Sequence, residues 1–255
     1  APKGLETATG NGALFVQTID ASGNPVYGAH IQVTNSAVAP AVNVNDATDG
    51  SGFLKIIDVP PSAQKYHITA SKIGYSSDQT YATSTQNPNP LKPDATVTLQ
   101  KITQVTLAID WTSQLSLSAL TNTCASVPSI PFTLTGAKLI GAAPDIVKFN
   151  QSYATDAAGA KTVGGLEWDT YSIAADASDY FLSGAIPFGP VTLPPQANES
   201  VKLIFAPKQA NGLLVSVQDG VTGAPLASTT VTVTGASYAK TLVTGRAGLN
   251  QTDWS

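Results

Sequence analysis

The chain has 255 residues, of which 42% are hydrophobic and only 12% are charged, and its formal net charge is −4. Average soluble proteins carry roughly 25% charged residues, so Ser, Thr, Asn and Gln must supply much of the solvated surface, as in β-rich extracellular proteins. Clustered Lys and Arg, the electrostatic basis of nucleic-acid binding, are lacking, so we expect no nucleic-acid partner.

Length and composition set further limits. At roughly 100–150 residues per domain, the chain should hold two to three domains. Hydrophobic runs stay well below the ~20 residues of a membrane helix, so no membrane span is expected in this segment. Cys124 is the single cysteine, which excludes an internal disulfide and favours a small buried hydrophobe. The sequence lacks Met and begins at Ala1, which indicates a mature secreted or surface segment with its leader removed.

In the first part of the chain, apolar and polar residues alternate in short runs bounded by Gly and Pro, a pattern that predicts strands. The predicted strands cover residues 13–20, 29–34, 53–59 and 66–70, with shorter ones near 42–44 and 78–82 and a closing strand at 97–99. We predict a β-sandwich over residues 12–100. Residues 1–11 are either a flexible lead-in or an added edge strand.

The second part of the chain repeats pieces of the first. The turn at residues 155–159 matches that at 48–52, and Tyr171-x-Ile173-x-Ala175 matches Tyr66-x-Ile68-x-Ala70. We predict a second sandwich over residues 101–206, opening with a strand at 105–109 and closing with one at 201–205. Because so few residues separate the two sandwiches, we expect them to stack end to end with little hinge motion.

Residues 207–255 match only the first half of the pattern. Gly223-Ala224-Pro225 repeats Gly23-Asn24-Pro25, and residues 244–248 repeat the turn, but counterparts of the Tyr strand and the closing strand are missing. Such a half sandwich exposes an apolar face and a free strand edge. Three interpretations stay open. The natural chain continues past Ser255, a strand from another subunit completes the fold, or the fragment stands alone against the second sandwich.

The combined pattern resembles a known group of domains. Gly23-x-Pro25-Val26-x-Gly28-Ala29, Thr48-Asp49-x-x-Gly52-Phe53 and Tyr66-x-Ile68-x-Ala70 together resemble the carboxypeptidase regulatory-like domain and the Cna B-type repeat of bacterial surface proteins. The resemblance implies an all-β fold of Ig-like or transthyretin-like Greek-key sandwiches arranged end to end, the last one incomplete. It also implies a non-catalytic module that acts as a spacer in adhesins, pili and secreted enzymes.

Many Cna B-type repeats carry an internal Lys–Asn isopeptide bond promoted by an acidic residue, and this sequence departs from that pattern. The predicted first strand, residues 13–20, contains no Lys. In the second sandwich, Lys101, Asn198 and Glu167 are the trio to consider, and loss of one ammonia from the intact mass would reveal the bond.

Catalytic, cofactor-binding and metal-binding residues are not predicted. His30 and His67 fall on predicted solvent faces, whereas a zinc site would need four clustered ligands. Nucleophile-elbow, P-loop and zinc-protease motifs do not occur. Two acidic pairs, Asp46 with Asp49 and Asp176 with Asp179, suggest calcium only weakly, because the regular spacing of a calcium loop is missing.

Aromatic residues offer the remaining functional candidates. Trp111, Trp168 and Trp254 could stack on sugar rings together with Tyr75, Tyr153 and Tyr180, although packing in the core or at an edge is the commoner role of such residues. We therefore interpret the chain as a structural module of an extracellular surface protein: an adhesin stalk, or a pilus or filament subunit. Its expected partner is protein, through strand complementation of the third unit. The alternative is an accessory carbohydrate-binding or spacer module of a secreted enzyme, with glycan as partner.

Overall fold

The computed structural model describes residues 10–175, 177–208, 212–235, 238–244 and 249–253. The regular elements within these ranges are 22 β-strands, which confirms the predicted all-β fold class. Within these described residues, helices of the length and hydropathy needed to cross a membrane are absent.

The first sandwich has two sheets, and most of its strands lie within a few residues of their predicted positions. Its strands are β1 (Gly12–Ile19), β2 (His30–Asn35), β3 (Val42–Ala47), β4 (Phe53–Val59), β5 (Ser62–Ser71), β6 (Asp78–Gln79), β7 (Ala95–Val97) and β8 (Ile102–Ala108). One sheet has the order β4-β1-β8. The other has the order β3-β2-β5-β6, and β7 also pairs with β5.

Period-two alternation builds the core of this sandwich. Leu14 and Val16 on β1 and Ile31 and Val33 on β2 are fully buried, while residues between them on β2 face outwards. Ile68 on β5 is also fully buried. Successive side chains of a strand point to opposite faces of its sheet, so each strand presents one apolar face to the other sheet.

The second sandwich repeats much of this plan and adds one inserted hairpin. Its strands are β9 (Ser113–Thr121), β10 (Pro131–Gly136), β11 (Leu139–Gly141), β12 (Ile146–Val147), β13 (Asn150–Ala154), β14 (Ala160–Leu166), β15 (Asp169–Ala175), β16 (Tyr180–Ile186), β17 (Val191–Leu193) and β18 (Asn198–Pro207). Its two sheets have the orders β14-β9-β18-β16 and β13-β10-β15-β17, and β11 pairs with β12 in the inserted hairpin.

The strand that closes each sandwich pairs in parallel with the strand that opens it. β8 runs parallel to β1, and β18 runs parallel to β9. Leu107 and Ile109 are fully buried in the first core. The strand that we expected to open the second sandwich therefore belongs to the β4-β1-β8 sheet of the first sandwich. The connection from β8 to β9 consists of residues 109–112. We propose a domain limit near residue 112 in place of residue 100.

The third unit contains four described strands, namely β19 (Gly212–Ser216), β20 (Thr230–Gly235), β21 (Tyr238–Val243) and β22 (Leu249–Asp253). β19 pairs with β22 and β20 pairs with β21. These pairings reproduce β1 with β4 and β2 with β3. Among the described residues, β20 has no second neighbour equivalent to β5, and β19 has none equivalent to β8.

A buried threonine fixes the same turn in all three units. The Thr48 hydroxyl donates to the Val26 carbonyl at 2.7 Å and accepts from the Ala29 amide at 2.9 Å. The Thr155 hydroxyl accepts from the Ile130 amide at 2.8 Å. The Thr244 hydroxyl accepts from the Thr229 amide at 2.9 Å and donates to the Leu226 carbonyl at 2.6 Å. The repeated Thr of the sequence motif is therefore a buried link from this turn to the strand that begins after Gly28 or its equivalent.

Candidate functional site: the joint between the sandwiches

Three sets of contacts join the first sandwich to the second, and the first set involves the connection itself. The Ser76 amide donates to the Asp110 carbonyl at 2.7 Å, and the Thr112 amide donates to the Gly74 carbonyl at 2.9 Å. Beside these bonds, the rings of Tyr75 and Trp111 lie 4.5 Å apart. Two backbone hydrogen bonds and one ring contact therefore hold the connection against a loop of the first sandwich.

The second set is a backbone ladder between the two sandwiches. The hairpin of β11 and β12 lies against a loop of the first sandwich, where the Leu91 amide donates to the Ile140 carbonyl at 3.0 Å. The Ala142 amide donates to the Asn89 carbonyl at 3.1 Å. Backbone bonds of this kind fix relative position more tightly than side-chain contacts, because neither partner has rotamers to explore.

Gly141 allows the hairpin and the loop to approach. A Cβ atom at this position would lie 2.2 Å from Oδ1 of Asn87, closer than any real Cβ contact. The Asn87 side chain in turn donates from Nδ2 to the Ile140 carbonyl at 3.1 Å. A side chain at position 141 would therefore displace the Asn87 side chain from this bond.

The third set is a chain of ion pairs with alternating sign that crosses the joint. Lys92 pairs with Asp78 in the first sandwich. Nζ of Lys148 in the second sandwich lies 3.7 Å from Oδ1 of Asp78 and 2.6 Å from Oε2 of Glu167. Lys138 completes the chain, with Nζ 2.7 Å from Oε1 of Glu167. Three cations and two carboxylates thus form one connected group.

Asp78 has two structural roles within this group. Its Oδ2 atom accepts from the Ala108 amide at 2.9 Å, which connects the edge of β8 to β6 in the opposite sheet. Its side chain is only 6% exposed. One buried carboxylate therefore closes an edge of the first sandwich and also faces the second, and Lys148 strengthens that link by donating to the Ser77 carbonyl at 2.9 Å.

Burial controls the electrostatics of the joint. Desolvation lowers the pKa of Lys138 despite the hydrogen bond and charge of Glu167, which act in the opposite direction. Nζ of Lys138 also lies 3.4 Å from the ring centroid of Trp168, a cation–π contact. Burial, helped by the Asp78 charge, raises the pKa of Tyr81 to about 12. These directions are those expected for groups partly removed from water.

A cavity of about 360 Å³ lies within the joint, between the ion pairs and the hairpin. Its polar lining consists largely of charged groups that already pair with each other: Lys92, Lys138, Lys148, Asp78 and Glu167. Because each of these lysines contacts a carboxylate, the arrangement is suited to holding two domains together.

Residues considered for other chemistry lie in separate places. His30 contacts the Oδ1 atom of Asn45 on an exposed strand face. Nδ1 of His67 lies 3.0 Å from Oδ1 of Asp94. Oδ1 of Asp49 accepts from the Ser51 and Phe53 amides, both at 2.9 Å, so this carboxylate caps a turn. Asp176 lies outside the described residues, and within them His, Cys, Asp and Glu form no group of three suited to a metal ion.

The tryptophans differ in accessibility. Trp111 is 43% exposed, whereas one face of the Trp168 ring is covered by Lys138. Trp254 lies outside the described residues. Of the candidate isopeptide trio, the Glu167 carboxylate pairs with Lys138 and Lys148.

The expectation that Cys124 is buried was wrong. The residue is exposed, in a turn where the Cys124 amide donates to the Thr121 carbonyl at 3.0 Å. Sequence analysis also missed the ion pairs of the joint, because their members are scattered from residue 78 to residue 167. One local signal was available: Asn87-Pro88-Asn89-Pro90 marks a long polar loop, and such loops commonly carry contacts.

Comparisons with known proteins give limited information. Family models and curated proteins give no match to the chain. Among solved structures, the Bacillus anthracis TIE protein is 14% identical over 95% of this chain and 43% of its own, with a TM-score of 0.31. The chain thus spans less than half the length of that protein.

Two pilins are similar to the chain at the same low level. A streptococcal ancillary pilin is 11% identical over 95% of this chain and 86% of its own, with a TM-score of 0.32. GBS52, a minor pilin of Streptococcus agalactiae, is 13% identical over 78% of this chain and 97% of its own, with a TM-score of 0.34. Such scores do not establish a shared overall arrangement, so the functional argument rests on the joint.

Proposed function

We propose that this chain is a non-catalytic structural segment of an extracellular surface assembly, such as an adhesin stalk or a pilus or filament subunit. In this role, the two sandwiches form a stiff rod that transmits force along strand ladders and holds another element away from the surface. The low charge and the Ser-, Thr- and Asn-rich surface support an extracellular location.

The joint is the observation that carries this proposal. A backbone ladder, a clamped connection and a chain of ion pairs all act between the same two domains. Relative motion is the default expectation for two domains within one chain. Contacts of three independent kinds at one joint are what a rod needs and what a flexible spacer lacks.

Electron spin resonance distances would test the stiffness directly. In a Cys124→Ser background, nitroxide labels at Lys65→Cys and Lys202→Cys would report one distance between the two sandwiches, because both sites are exposed. We expect a single narrow distance distribution that is unchanged between low and high salt. A distribution as broad as that of a freely linked pair would refute the rod.

We further propose that the third unit joins the chain to another protein, because β19 and β20 each keep an unpaired edge among the described residues. Free edges of this kind are templates for strand addition. Sedimentation over a hundredfold concentration range should show assembly, weakened by Val231→Lys. The control is Thr232→Lys on the exposed face of the same strand. Monomers at every concentration would rule out self-association.

A glycan-binding role is the second candidate, and Trp111 is the observation that favours it. Its ring is 43% exposed and packs beside Tyr75, so the two rings form a partly open aromatic surface. Aromatic faces of this kind can stack on sugar rings. Glycan-array binding that is lost in Trp111→Ala and kept in Trp168→Ala would support this role, and an array without binding would remove it.

A further inference from the structure

A second cavity, of about 450 Å³, opens at one edge of the second sandwich, between β15 and β16, and Ser216 and Gln218 of the third unit also line it. Its walls include the apolar side chains of Ile173, Leu182, Ala185 and Phe188, and its floor is the core itself, where Tyr171 is 1% exposed. Charged side chains are absent from the described residues that line it. The ion-paired side chains of the joint are not among the residues that line it.

The cavity exists because one strand changes sheets between the two sandwiches. In the first sandwich, the strand after the Tyr strand is β6, and it pairs antiparallel with β5. In the second sandwich, the strand in the same sequential position is β16, which pairs with β18 in the opposite sheet. β15 is therefore left without the neighbour that β5 has.

Hydrogen bonds to the backbone of Ile68 show what the neighbouring segment contributes to β5 in the first sandwich. In the first sandwich, the carbonyl of Ile68 accepts from the Thr80 amide at 2.9 Å, and the amide of Ile68 donates to the Thr80 hydroxyl at 2.9 Å. Ile68 is fully buried. Its counterpart in the repeat, Ile173, is only half-buried.

The outer edge of β15 is open beside the cavity. β17 pairs with β15 only over Asp169–Tyr171, so residues 173–175 have no strand beside their outer edge in the described chain. The Thr170 carbonyl accepts from the Ala137 amide on the β10 side. Because an antiparallel strand alternates its bonding direction, the N–H and C=O groups of Ile173 and Ala175 point outwards.

We propose that this open edge and cavity bind a short, extended, uncharged peptide from another protein. The peptide pairs antiparallel with residues 173–175 and places alternate apolar side chains in the cavity. The first sandwich supplies the argument for this occupant, because its own β6 fills the equivalent position as an extended antiparallel segment. A neutral lining also disfavours charged side chains, which would lose hydration without gaining a partner.

Hydrogen exchange on the full chain would test the proposal with synthetic hexapeptides. The first probe is acetyl-Thr-Val-Thr-Val-Thr-Gly-amide, which is neutral and alternates polar Thr with apolar Val. The second replaces both Val by Lys, and the third is the first probe with alternate amides N-methylated. We expect only the first to slow exchange of the Ile173 and Ala175 amides, at least tenfold and in a concentration-dependent manner.

A cavity-filling substitution gives the matched test. Ala185→Phe places a ring in the cavity and should weaken binding of the first probe at least tenfold. The control, Ala174→Phe, makes the same change on the exposed face of β15 and should leave binding unaltered. Equal binding of the N-methylated probe, protection confined to the third unit, or no binding at millimolar concentration would each overturn the proposal. These outcomes do not depend on the stiffness of the rod.

Discussion

At the scale of single residues, Asp78 connects more of the molecule than any other carboxylate described. It accepts from the β8 backbone, pairs with Lys92 and faces Lys148 across the joint. Removing one partner from a buried ion pair typically costs roughly 3–5 kcal/mol, because a charge is left uncompensated. The lysines here keep some contact with water, with side chains 42% and 20% exposed, so the loss should be smaller.

We predict that Asp78→Asn lowers the free energy of unfolding by about 2–3 kcal/mol, measured by urea denaturation. The amide keeps an acceptor for the Ala108 N–H, so the effect should come mainly from the lost charge. Asp145→Asn, at an exposed position of the inserted hairpin, is the control and should change stability by less than about 0.5 kcal/mol. Equal effects of the two substitutions would contradict the role assigned to Asp78.

Tyr81 makes the stability of the protein depend on alkaline pH. Burial and the Asp78 charge raise its pKa from 10.0 to about 12 in the folded state. The folded state thus holds the phenol proton more tightly than the unfolded state, so this stabilisation is complete below pH 10 and is lost as the pH rises from 10 to about 12. Burial raises the pKa of Tyr171 as well, which acts in the same direction.

We therefore expect Tyr81→Phe to lose less unfolding free energy between pH 10 and 12 than the unsubstituted protein does, as measured by denaturation at each pH. The lowered pKa of Lys138 acts in the opposite direction, since its destabilising charge is relieved as the pH rises towards 10.5, but both proteins share it. Tyr27→Phe, at a position 68% exposed, is the control. Identical slopes for Tyr81→Phe and the unsubstituted protein would count against this account.

At the scale of elements, the repeated Thr-Asp turn shows how a short sequence motif attaches a turn to the core. Oδ1 of Asp49 accepts from the amides two and four residues later, and Asp156 does the same in the second sandwich. The preceding Thr points inwards and bonds to the neighbouring strand. In each Thr-Asp pair, the Asp thus shapes the turn and the Thr fixes the turn to the core.

Thr48→Val should lower the free energy of unfolding by about 1–3 kcal/mol, because the buried Ala29 amide loses its acceptor while the volume stays the same. The matched control is Thr106→Val, on the exposed face of β8, where no such loss is expected. Thermal unfolding followed by circular dichroism would separate the two. A Thr48→Val protein as stable as the control would show that the hydroxyl is dispensable.

At the scale of the whole molecule, the joint decides whether two sandwiches act as one body. Gly141 is a sensitive position, because a methyl group there would collide with the Asn87 side chain beside the backbone ladder. Forcing extra atoms into a packed contact typically costs about 1–3 kcal/mol. The ladder can avoid this cost by separating, which would release the hairpin from the first sandwich.

We predict that Gly141→Ala broadens the distance distribution between labels on the two sandwiches, while each sandwich keeps its own fold. Residual dipolar couplings should then require separate alignment tensors for the two sandwiches. Gly164→Ala, which places its methyl group in open space, should leave one shared tensor. A single tensor for Gly141→Ala would show that the ladder does not set the orientation.

Much of the strand content followed from the sequence alone. The alternation of Ile31 and Val33 with polar residues, and the repeated turn, predict strands that the structure contains. The all-β class and the repetition were likewise determined locally, because period-two burial and turn chemistry act over a few residues. The strand predicted at residues 105–109 overlaps β8, but it pairs with β1 of the first sandwich, because alternation marks a strand without revealing which strand it pairs with.

The residues themselves therefore determined which segments become strands and where the chain turns. Only the tertiary structure decided that β8 closes the first sandwich, that β16 changes sheets, and that Asp78 meets Lys148. The physical reason is sequence separation: these contacts join residues tens of positions apart, and they form only when whole sheets bury their apolar faces together. No local pattern encodes such a pairing, so the joint and the open edge became visible only in the folded chain.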